Sequence, residues 1–272
     1  MLKKLLKHDM RTMAKSSLPM LIVSLVVSVI LCAMLYFTLS FSAEGVDSIV
    51  GVMMVVTSFY AMGIMAIAAM YIVVYVLSLV RYYKSLFTDE GYLNMVLPVE
   101  TTTMLNAKML STLIWFSIGA VTTLLGLFIA VGLPLLLYNG SILSELAEIF
   151  KFLFSLFVSS SYAGPVGVLA IISFIIRFLE STVLVITAIT IGASVMKKRR
   201  VLGAILFYFA ITFVRENVVS VIEFIIDFAL VDAIGEGGVV LSLIAGIILS
   251  IVISVGCYLV DRMILNKKFN IE

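Results

Sequence analysis

The sequence predicts an all-α polytopic membrane protein. It has six transmembrane helices, an amphipathic interfacial helix at its N-terminus and a short helix in the polar insert between spans two and three. Three observations lead there. Hydrophobic residues make up 63% of the 272 and charged residues only 12%, against about 25% charged in a soluble domain. Mean hydropathy is +1.24. The runs Ile49–Val80 and Met109–Ser144 carry no charged residue, and each exceeds the roughly 20 apolar residues that cross a bilayer. The short alternating segments of a membrane barrel are absent. A net charge of +2 argues against a nucleic-acid partner. Cys32 and Cys257 both fall in apolar runs, and His8 is the one histidine, so neither a disulfide framework nor a metal site is indicated.

Residues 1–17 place Leu2, Leu5, Leu6, Met10 and Met13 on one helical face and Lys3, Lys4, Lys7, Arg11 and Lys15 mostly on the other. That pattern predicts a helix in the headgroup plane with its cations near anionic lipid. The rival reading, a signal-peptide n-region, meets an apolar run, 18–41, that is too long and lacks a cleavage site. This run is the first span, with Pro19 near its start. The acidic turn Glu44–Asp47 leads to the second span, 49–80, whose last turns emerge with Arg81 and Lys84.

The segment 81–108 is the longest polar interruption between two highly hydrophobic runs, and it reads as a docking handle. Tyr83, Leu86 and Phe87 recur at helical spacing. Thr88 is a candidate cap for a short helix led by Asp89 and Glu90. Tyr92, Met95 and Val96 continue the pattern until Pro98 stops it. The bland alternative is a solvated loop. The third span is 109–138, with Trp115 and Phe116 at an aromatic belt near its entry and Pro134 kinking its far end. Residues 144–161 read as an extracellular amphipathic helix. The fourth span, 166–196, is followed at once by Lys197–Arg200, then by a fifth, 201–231. Gly235–Gly238 is a turn, and the sixth span is 239–260.

With six spans and both termini on one side, all but three of the 18 Lys and Arg share that side, which marks it cytoplasmic. Arg177 and Glu180, one turn apart, lie roughly 26–30 Å from the Lys197–Arg200 hairpin, and Arg215 and Glu216 roughly 22–24 Å, at about 1.5 Å per residue. The four are expected within reach of one another, either as ion pairs pinning two helices or as a charged patch on a substrate path. A break of the fifth run near Arg215–Asn217 is a third option. Ala188 and Gly192 form a small-xxx-small pair. No G-x-x-x-x-G-K-[ST], H-E-x-x-H or G-x-S-x-G occurs, so no nucleotide loop, catalytic residue or metal ligand is assigned and the chain is not expected to be an enzyme.

The phrase RYYKSLFTDEGYLNMVLPVETTTMLNAKML, residues 81–110, together with the six-span layout, resembles the membrane (permease) subunits of type-2 ABC exporters of Gram-positive bacterial type. The resemblance covers the whole length. It implies that Leu86, Phe87, Thr88, Asp89, Glu90, Gly91 and Tyr92, in a coupling helix running to Leu97, contact a separate ABC ATPase subunit that binds the ATP and Mg. It also implies a second permease subunit, a bacterial plasma membrane and export of a lipid, peptide or drug-like molecule. The amphipathic stretch 144–161 departs from the family's commonest layout, where external helices come between the last two spans. An ion-driven secondary transporter using Arg177, Glu180, Arg215 and Glu216, and a non-transporting immunity or sensor-partner protein, remain the alternatives.

Overall fold

The structure is a computed structural model, and it describes residues 2–43, 50–88, 91, 100–138, 163–196, 199–226, 228 and 236–269. These residues are helical almost throughout: α1 Leu2–Ala43, α2 Val50–Phe87, α3 Thr101–Leu127, a π-helical turn Phe128–Gly132, α4 Leu133–Tyr138, α5 Ala163–Val195, α6 Arg200–Ile226 and α7 Glu236–Phe269. Six passages are long and apolar enough to cross a membrane, α3 through α4 counting as one. Large apolar side chains face outward all along them; Met65 is 72% exposed and Phe174 71%. A soluble monomer does not sustain apolar surface on that scale, whereas lipid removes the cost. The protein is therefore a multi-pass membrane protein. The amphipathic helix read at 144–161 lies outside the described residues.

The chain divides into two compact units, one of residues 3–81 and 110–150, the other of residues 82–109 and 151–272 with the first two residues. In the first unit, α1 is a single helix of 42 residues. At about 1.5 Å per residue it is about 63 Å long, twice a hydrocarbon core of about 30 Å. The boundary read between an interfacial helix 1–17 and a span from residue 18 is not a break in the backbone; Pro19 sits inside the helix, where it forgoes the bond to the carbonyl four residues back without ending the helix. The amphipathic split holds in part, since Leu2 of the apolar face is exposed as well. Lys3, Lys4, Lys7, Arg11 and Lys15 are exposed, and Met13, with Met10 and Ala14 beside it, packs on Leu21, Val74 and Trp115. Trp115 and Phe116 are buried, and Phe116 meets Tyr71 and Tyr75 at ring-centroid distances of 5.7 and 4.6 Å.

The kink expected at Pro134 is a change of helix type. Pro134 has no N–H to offer the carbonyl of Ala130, four residues back. The turn before it widens, and Leu133 N–H donates to the Phe128 carbonyl, a π-helical bond. The Tyr60 hydroxyl donates to the Ala130 carbonyl at 3.0 Å. An unsatisfied buried carbonyl costs about 1–3 kcal/mol. Tyr60→Phe is therefore expected to lower the thermal unfolding midpoint of the purified protein by a loss of that size. The loss should shrink when Pro134→Ala restores a backbone donor; equal losses in both backgrounds would refute the account.

In the second unit α5 is central, packed extensively on both α6 and α7. α5 and α6 are joined through residues 196–199, and they cross at Gly192 and Gly203. A Cβ built on Gly192 would lie 2.3 Å from the Ala204 nitrogen and 2.5 Å from the Gly203 carbonyl carbon, so backbone touches backbone. The break considered near Arg215–Asn217 is absent, since α6 runs unbroken to Ile226. The turn expected at Gly235–Gly238 is instead, from Glu236 on, the first turn of α7. The entropic penalty of glycine is felt in a helix interior, and the glycines here lie at the helix start.

Candidate functional site

The antiparallel register set at the glycine crossing carries the charges into contact. Glu180 lies twelve residues before Gly192, and Arg215 twelve after Gly203, so each is about 18 Å along its helix from the crossing. They meet as a fork: Arg215 Nε donates to Glu180 Oε1 at 3.1 Å and Nη2 to Oε2 at 3.0 Å. The third nitrogen, Nη1, donates to Glu216 Oε1 at 2.6 Å. The side chain of Glu180 is 1% exposed and that of Arg215 13%, while Glu216 is 61% exposed. One turn from Glu180, Arg177 pairs with Glu223. Gly246 of α7 lies against this pair, and a Cβ there would stand 3.2 Å from Arg177 Nη2. A cavity of about 210 Å³ opens beside Arg177, Glu180, Arg215 and Glu216, walled also by Ser181, Leu184, Tyr208 and Thr212.

All four charges singled out from spacing and depth thus fall in one cluster. Arg177 does not pair with Glu180, though; it reaches across to Glu223, an acid outside those four. Both pairs link α5 to α6. A bidentate guanidinium–carboxylate contact is the strong form of the interaction, and pairing is the usual relief for ions in a span.

The candidate coupling residues are placed unevenly. Leu86 and Phe87 are buried, at the end of α2. Tyr82 is buried too, and its hydroxyl shares a hydrogen bond of 3.0 Å with Thr190 of α5. Arg200, at the start of α6, donates to the Phe87 carbonyl. A cation thereby meets a carbonyl at a helix C-terminus, where the dipole favours it. Thr88 donates to the Lys84 carbonyl at 2.6 Å, closing α2, although its spacing read as a cap for the next helix. The Gly91 N–H bonds the Thr88 carbonyl at 2.8 Å, and a Cβ on Gly91 would come within 2.7 Å of the Leu86 carbonyl oxygen, so only glycine fits. Asp89, Glu90 and Tyr92 lie outside the described residues.

Sequence reasoning missed Asp261, which falls just past the end it set for the sixth span at 260. α7 continues past it to Phe269, and Asp261 is fully buried, accepting a hydrogen bond of 2.9 Å from Thr187. The available signal was periodicity: Cys257, Asp261 and Leu265 fall four apart, on one face of the extended helix. No group of three or more His, Cys, Asp or Glu suited to a metal occurs among the described residues. Compared with protein-family models, curated proteins and solved structures, the chain matches none.

Proposed function

We propose that the protein is the permease subunit of a type-2 ABC exporter, working beside a second permease subunit and powered by a separate ATPase subunit. In this reading, the side bearing residues 81–108, both termini and Lys197–Arg200 is cytoplasmic. The first turns of α1 lie along the headgroups, and residues 86–97 dock in a cleft of the ATPase. One observation carries the reading. α2 continues as helix to Phe87, and its last turn is clamped to α5 by Tyr82–Thr190 and to α6 by Arg200. A push on the handle then reaches the membrane passages through rigid contacts, where a loop would absorb it.

Phe87 is a poor probe of docking, because an acidic residue at a buried site disrupts the chain itself. Tyr92→Asp is the better one. The expected result is loss of co-purification with the cognate ATPase and of stimulated ATP hydrolysis, with the unfolding midpoint unchanged. Undiminished association and hydrolysis would refute the docking role. Labelling of Glu90→Cys by a membrane-impermeant reagent from outside intact cells would refute the orientation. The ion pairs inside α5 and α6 favour a second reading, an ion-driven transporter, which predicts proton- or sodium-dependent flux without any ATPase.

A further inference from the structure

We infer that the cavity between α5 and α6 binds the head of a lipophilic protonated amine. Charge accounting is the first ground. Two guanidiniums, Arg177 and Arg215, face three carboxylates, Glu180, Glu216 and Glu223. Glu180 uses both oxygens on Arg215. The single charge of Arg215 is thereby shared between two acids, and the excess negative charge falls on Glu216, the most exposed of them. In a low-dielectric setting such an excess is costly until a cation meets it.

The hydrogen-bond inventory is the second ground. Thr212 lines the cavity, and its hydroxyl oxygen is occluded with no hydrogen-bond partner among the described residues. Once the Thr212 side chain turns its oxygen into the cavity, an ammonium can donate to Thr212 and to Glu216 together, which a quaternary head cannot do. The third ground is shape. The cavity of about 210 Å³ has room for such a head, and the Tyr208 ring and Leu184 in its wall suit the attached carbons. Aromatic faces also attract cations. The outward surface of α6 around it is apolar, with Phe209 and Phe213 exposed, so a hydrocarbon tail stays in lipid while the head enters. An anionic head would meet the surplus carboxylate instead.

As a substrate site this rests on the permease reading; as a binding site it does not. The test therefore contains neither ATPase nor ATP. The full chain in lipid nanodiscs is titrated with two fluorescent probes, dansylcadaverine and N-dansyl-6-aminohexanoate, which differ chiefly in carrying an ammonium or a carboxylate. Saturable binding of the amine is expected, at least about tenfold tighter than of the acid, the scale of one charge-assisted hydrogen bond. Glu216→Gln should weaken amine binding about tenfold and Thr212→Val by a smaller factor, while Glu216→Asp retains it; unfolding midpoints measured alongside verify that each variant is folded. Equal binding of the two probes, preference for the carboxylate, or a Glu216→Gln protein that binds the amine as before would overturn the assignment. Failure of the ATPase pull-down with amine binding intact would instead remove the exporter reading alone.

Discussion

Gly192→Ala is expected to be among the most damaging single substitutions available in this chain. Alanine is the better helix former by about 1 kcal/mol, so local propensity favours the change. The contact opposes it: the added carbon would sit 2.3 Å from the Ala204 nitrogen and within 2.6 Å of two further backbone atoms. No rotamer change relieves a clash with backbone, and α5 and α6 must part. Overpacking costs about 1–3 kcal/mol, occasionally more, and an obstruction made of main chain belongs at or above the top of that range. Gly203→Ala meets the Gly192 carbonyl oxygen at 2.8 Å and Met196 at 3.0 Å, a milder overlap than the 2.3 Å at Gly192, and should cost less. Unfolding midpoints in one detergent give the ranking; a Gly192→Ala protein as stable as its parent would show that the crossing is looser than described.

Arg215→Gln is expected to cost about 3–5 kcal/mol, the usual penalty for stranding one member of a buried ion pair. Glu180, its side chain 1% exposed, would lose both of its guanidinium bonds and be left buried without its counter-charge. Glu180→Gln in the same chain should recover much of the loss, because the uncompensated charge, not the missing contact, carries most of the penalty. Arg177→Gln should cost less than Arg215→Gln, since Arg177 and Glu223 are both more than a third exposed. A double variant no more stable than Arg215→Gln alone would argue that the pair acts by geometry rather than charge.

These two sites differ in how far they were legible beforehand. The ion cluster was readable because two helices joined by a short hairpin must run antiparallel, so counting residues from Lys197–Arg200 puts Glu180 near Arg215. Counting gives height along an axis but not azimuth, and so it gathered the four charges without saying which acid each arginine meets, and Glu223 was not among them. Gly192 stood out as half of a small pair with Ala188, but its partner Gly203, on another helix, has no local signal. Asp261 was hidden by a rule of thumb that ends a span at its first charge; that rule fails where a neighbouring helix supplies a hydroxyl. The six passages were plain from the uncharged runs. The continuity of α1 was not, because a change from amphipathic to uniformly apolar pattern marks a change of surroundings and not a stop in the backbone.

The π-helical turn ahead of Pro134 has a mechanical corollary. Elsewhere along that passage the main chain pays out its own ties, and bending it means breaking them. At Ala130 one tie comes from the phenol of another helix, so that joint can be released and remade without unwinding anything. If this passage ever changes direction during a working cycle, the elbow is already built, and Tyr60 is its latch.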